Sequence, residues 1–112
     1  NMQLIDYFIS ILDLETTIVY SSKLQKSSNQ SQRLLDICNY CNASCYISGV
    51  SGKEYLDEEI FKKSGVKVIY ENFQHPIYTQ LYKPFEQNLS ILDLLFNEGD
   101  NSRKILDETK NL

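Results

Sequence analysis

The chain has no tryptophan, one histidine, one methionine, two prolines and no excess of basic charge. Eleven Lys and Arg stand against fifteen Asp and Glu, giving a net charge of -4, and no Lys/Arg cluster interrupts that balance. Such a surface repels a polyphosphate backbone, so nucleic acid is not an expected partner. Long hydrophobic runs are missing too. Residues 9–14 and 91–96 are broken by Asp13 and Asp93 and are far too short to cross a bilayer. Neither a membrane span nor a signal peptide is expected. Three cysteines cannot all pair within one chain, and Cys38 and Cys41 fall inside a helical pattern. That argues against a secreted disulfide framework and for a reducing cytoplasm.

What is present suits a folded protein. With 112 residues, 42% apolar and 23% charged, the composition fits one domain over 1–112 that buries a core without metal or disulfide staples. Eight tyrosines carry most of its aromatic content. Asn1 directly before Met2 reads as the scar of tag removal, and the expectation is a domain cut from a longer protein.

Leu4, Ile5, Phe8, Ile11 and Leu12 recur at helical steps over residues 2–14. The β-branched and aromatic series Thr16, Thr17, Ile18, Val19 and Tyr20 predicts a first strand at 17–20. After the polar stretch KSSNQSQ, a cap at Asn29 or Ser31 opens a helix to about Asn42 with Leu34, Ile37, Cys38 and Cys41 on one face. Cys45, Tyr46 and Ile47 predict a second strand, and Lys53 to Lys63 a helical stretch capped again at Asp57. Gly65 supplies a left-handed stop before a third strand at 66–70. Ser90 and Asp93 form a capping box ahead of the apolar ILDLLF, expected to be a buried helix closed by Gly99, and Asn101 or Ser102 caps a last helix to the end. The fold class is α/β: an open parallel sheet of about three strands with flanking helices, a Rossmann-like half, and added C-terminal helices.

In such a sheet ligands bind outside the carboxyl ends of the strands. Those ends carry Ser21, Ser22 and Lys23; Ser48, Gly49, Ser51, Gly52 and Lys53; and, past the third strand, His75, with Tyr78 and Gln80 beside it. The turn Gly49 to Lys53 suits an anion, because glycine lets backbone N–H groups approach closely and Lys53 adds a cation. It is not a Walker loop: two residues separate its glycines and Glu54 follows the lysine. The bland alternative is a tight turn and nothing more. Cys38, Cys41 and Cys45 with His75 make a nominal Cys3His set, but cysteines on an apolar helix face point to packing, so no metal or cofactor is expected. His75 offers a general base or a hydrogen-bond donor to a sugar, against the plainer role of a solvated loop residue.

The run YISGVSGKEYLD, then PIYTQ, then PFEQNLSILDLLFNEG resembles the C-terminal half of WbqC-like proteins. The resemblance covers residues 17 to 108 and rests on Ser21 and Ser22, Arg33, Tyr46, Gly49, Gly52, Tyr55-Leu56-Asp57, Tyr78, Gln80, Phe85 and the segment from Ser90 to Gly99. The family's opening Gln-Pro and Phe-Pro stretch, and its Asp-rich region with Trp, Asn and Arg, have no counterpart here. The resemblance therefore implies an isolated C-terminal portion whose partner is the N-terminal half of the same protein, with a second copy of the chain as a further candidate partner. It also implies a place in bacterial O-antigen or other surface-polysaccharide biosynthesis, as a transferase acting on sugar-phosphate or nucleotide-sugar intermediates.

Overall fold

The computed structural model describes residues 1–24, 27 and 29–109, in two compact units: residues 18–72, and residues 1–17 together with 73–109. Lys26 and Ser28 of the polar stretch, and the expected end of the last helix at 110–112, lie outside the described residues.

Within residues 18–72, helix α1 (Gln30–Tyr40) begins at Asn29, whose side-chain oxygen accepts from Gln32 N at 3.0 Å, and stops where Asn42 takes φ 51. An asparagine in the left-handed region is a common helix terminator. Strand β1 (Cys45–Ser48) follows, then a 3-10 turn (Val50–Glu54) and helix α2 (Glu58–Lys63), capped by Asp57 and ended before Gly65 at φ 76. Strand β2 (Lys67–Tyr70) pairs with β1 in parallel, Cys45 opposite Lys67 and Ser48 opposite Tyr70. Phe61 of α2 has no exposed surface and packs with Leu35, Cys38 and Val66, with Tyr46 stacked on its ring at 5.4 Å. Burial, and secondarily the neighbouring Cys41, push the Cys38 thiol pKa up, as expected of a cysteine used for packing.

The expected first strand at 17–20 is absent. Among the described residues the sheet has only β1 and β2, and residues 17–20 are exposed and outside the ladder. Their β propensity reports side chains that would fit a pleated, half-buried surface, and no such surface receives them. Two further expectations change in detail. Cys41 is exposed at the end of α1, while Leu35, absent from the expected face, is buried. Ser31 does not cap the helix: it is buried, and its hydroxyl accepts the backbone N–H of Asp57 at 3.1 Å.

The unit made of residues 1–17 and 73–109 holds three helices. Helix α3, the N-terminal Met2–Ile11, is shorter than its apolar pattern, with Asp13 at φ 50 just beyond it. Helices α4 (Ile91–Glu98) and α5 (Ser102–Glu108) are joined by a 3-10 turn at Gly99–Asn101. Arg103 donates from Nη1 to the carbonyls of Leu12 and Asp13, each at 2.7 Å, tying α5 to the end of the N-terminal helix. Helix α4 is not buried all round. Leu94 is buried, whereas Phe96 is 84% exposed.

One contact makes Gly52 irreplaceable in its turn. A Cβ there would collide with Ser48 Oγ, stand 3.2 Å from Ser48 Cβ and 3.4 Å from the Tyr70 ring. Gly52→Ala is therefore expected to cost about 1–3 kcal/mol in urea unfolding, with part of the loss recovered when Ser48→Ala removes the hydroxyl.

Candidate functional site

The carboxyl ends of β1 and β2 lie side by side because Ser48 is registered with Tyr70. Glu71 N donates to Ser48 O at 2.8 Å, carrying the pairing one step past the strands. From Ser48 the chain turns at once, and Gly52 N donates to Gly49 O at 2.9 Å, which closes the turn. Lys53 then stands with Nζ 5.1 Å from the centroid of the Tyr70 ring. The Tyr70 hydroxyl donates to Glu58 Oε1 at 2.6 Å, and this bond, followed by burial, pushes its pKa from 10.0 up to about 12. Burial, and then Tyr55, push the Tyr46 hydroxyl up in the same direction.

The structure thus gathers Ser48, Gly49, Ser51, Gly52 and Lys53 at one end of the sheet and adds Tyr70 and Glu58, which were not singled out in the sequence. The available signal was positional: Tyr70 is the last residue of its strand, and Glu58 lies in the first turn of the following-in-space helix α2. The two glycines differ. Gly49 has open space where a Cβ would sit, so the close approach belongs to Gly52 alone. Ser21 and Ser22 form an exposed 3-10 turn with Lys23, whose Nζ lies 5.3 Å over the Tyr20 ring. Since no strand precedes them, they do not stand at a strand end as expected.

His75, Tyr78 and Gln80 belong to the other unit, where they serve a different arrangement. His75 sits among the rings of Phe73, Tyr78 and Phe85, and its Nδ1 is 2.8 Å from Pro76 O, a contact that calls for a proton on Nδ1. Tyr78 donates to Asp93 Oδ2 at 2.8 Å, as does Gln80 Nε2. The same Gln80 amide spans the backbone of Glu86, receiving its N–H at 2.8 Å and donating to its carbonyl at 2.9 Å. Asn97 donates to Asp93 O and Oδ1 and accepts Leu81 N, and Glu98 accepts Thr79 N at 2.9 Å. Asp93 is therefore not the capping residue its position suggests. Ser90 caps α4 by accepting Leu92 N, and the Asp93 carboxylate instead gathers the loop. Burial, then the bond to Asp93, raise the Tyr78 pKa. The same loop and α4 enclose a groove of 780 Å³. Among the described residues no group of three or more His, Cys, Asp or Glu could hold a metal ion.

Two measurements check these geometries. In a spectrophotometric titration Tyr70 should be among the last tyrosines to ionise, near pH 12, and Glu58→Gln should bring it down toward 10. Because its folded pKa is raised, the stability tied to this bond is complete below pH 10 and is lost as the pH climbs through 12. Asp93→Asn should cost about 1.5–3 kcal/mol in urea unfolding, and Tyr78→Phe should cost less in that background than alone.

Comparison with known proteins adds the family. The model for the WbqC-like protein family matches residues 1–105. The uncharacterized protein Rv1507c of Mycobacterium tuberculosis is 33% identical over 100 residues, which are 88% of this chain and 43% of that protein. The chain thus spans less than half the length of this curated relative. No solved structure matches. No helix among the described residues is long and apolar enough to cross a membrane. With its model matching nearly the whole chain, the protein belongs to the WbqC-like protein family.

Proposed function

We propose that this chain is the C-terminal part of a longer, cytoplasmic, transferase-like protein of surface-polysaccharide biosynthesis, and that it binds the anionic group of a sugar-phosphate or nucleotide-sugar substrate. The observation that carries the proposal is Lys53, an exposed cation held over Tyr70 at the carboxyl ends of two parallel strands, beside Ser48. Loops at that end of a parallel sheet are where ligands of α/β proteins usually bind. A lysine there supplies charge to a phosphate, and the exposed Ser51 hydroxyl is of the right kind to add a hydrogen bond, whereas Ser48 is buried and donates its hydroxyl to Gly49 O. Ser21 and Ser22, in an exposed turn of the same unit, are further candidates to bind that substrate in this view.

A noncatalytic interaction module is the alternative. It is favoured by the apolar side chains that the N-terminal helix leaves exposed, among them Leu4, Ile5, Tyr7 and Ile11. Their partner would then be the remaining part of a longer chain or a second copy.

Phosphorus NMR of UDP-glucose and glucose 1-phosphate titrated with the protein tests the first proposal. Saturable broadening is expected, weakened about fivefold or more by Lys53→Gln. Identical titrations for both proteins would remove Lys53 from any substrate site. No broadening, together with a dimer in sedimentation equilibrium, would favour the interaction module.

A further inference from the structure

The groove between the 79–89 loop and α4 is built with a charge preference of its own. Its volume of 780 Å³ falls within the range of small-molecule sites, about 300–1,000 Å³. Glu86 and Asp93 line it, and no Lys, Arg or His does. Leu81 and Tyr82 are each 80% exposed and Phe96 84%, so its walls present apolar and aromatic surface to solvent. The floor is already ordered. Asp93 Oδ2 receives two donors at 2.8 Å, while Oδ1 has only the longer 3.2 Å bond from Asn97. Gln80 clamps the backbone of Glu86 on both its N–H and its carbonyl. A ligand would thus meet a fixed Asp93 carboxylate and a Glu86 carried on an ordered backbone, without first having to order the loop.

These features select among ligand chemistries. An anion would face two carboxylates with no lining cation to compensate them. An uncharged apolar molecule would cover the carboxylates and give them nothing in return. A cation is attracted by both carboxylates and by the faces of aromatic rings. We propose that the groove between the 79–89 loop and α4 is a binding site for a small amphiphilic amine. Its ammonium group is drawn to Glu86, Asp93 and the rings of Tyr82 and Phe96, and its apolar body lies along Leu81 and Leu89. The site is independent of the anion site proposed at Lys53, which lies in the other unit, and either can fail without the other.

Three probes with one body and different heads test it: hexylamine, hexanol and hexanoate, each titrated into the whole 112-residue chain and followed by two-dimensional NMR. Hexylamine should shift the signals of Leu81, Tyr82, Phe96 and Asn97 saturably, with a dissociation constant about tenfold or more below that of hexanol. Hexanoate should leave them in place. Added salt should weaken the amine, and Glu86→Gln, at an exposed position, should weaken it severalfold while signals elsewhere stay unchanged. Equal affinity for hexanol and hexylamine, tighter binding of hexanoate, or no saturable shift would overturn the proposal. So would shifts of these residues by methyl glucoside without any by hexylamine, which would make the groove a polyol site. Apolar contact of these residues with a second copy, seen as shifts that depend on protein concentration and block the amine, would make it an interface instead.

Discussion

Two strands of four residues make too small a sheet to hold themselves together, so the pairing of Cys45–Ser48 with Lys67–Tyr70 depends on what covers it. Phe61 does most of that covering. Fully buried, it brings α2 against the sheet, stacks with Tyr46 and meets Leu35 and Cys38 from α1. Burying an aromatic side chain of this size is worth on the order of 1.5–3 kcal/mol. A slip of one residue would turn Tyr46 and Ser48 to the opposite face, away from that contact. The register held in this way sets Ser48 beside Tyr70, and every feature of the strand-end site follows from that adjacency.

Around residues 73–90 the backbone has no ladder to join, and its polar groups still need partners. Side chains of α4 supply several of them. Asn97 accepts Leu81 N, Glu98 accepts Thr79 N, and Asp93 holds the loop through Tyr78 and Gln80. Gln80 acts on Glu86 as a neighbouring strand would, offering one donor and one acceptor. The cost falls on the apolar side of α4. With Asp93 and Asn97 engaged by the loop, Phe96 is left facing solvent, in a helix that composition alone would bury.

The signals that were legible in the sequence are mostly local ones. Asn29, Asp57 and Ser90 cap helices where they were expected, because a cap is a contact across two or three residues. Gly65 and Gly99 stop helices at positive φ for an equally local steric reason. The two observed strands and the turn at Ser48 also lie where the alternation and the glycines put them. The first strand failed because residues 17–20 carry strand propensity without a pairing partner, and no count along the chain reveals whether one exists.

Sequence by itself therefore determined the α/β class, the helix ends and the strand-end turn bearing Gly52 and Lys53, since each rests on backbone preference or short-range contact. Only the tertiary structure decided where longer reach mattered. It set Tyr70 against Lys53 and Glu58, made Gly52 rather than Gly49 the glycine with no room for a side chain, and turned Asp93 from a cap into the centre of a hydrogen-bonded loop. The physical reason is the same in each case. Burial and hydrogen-bond satisfaction are settled between residues distant in the chain, and composition does not say which of them will meet.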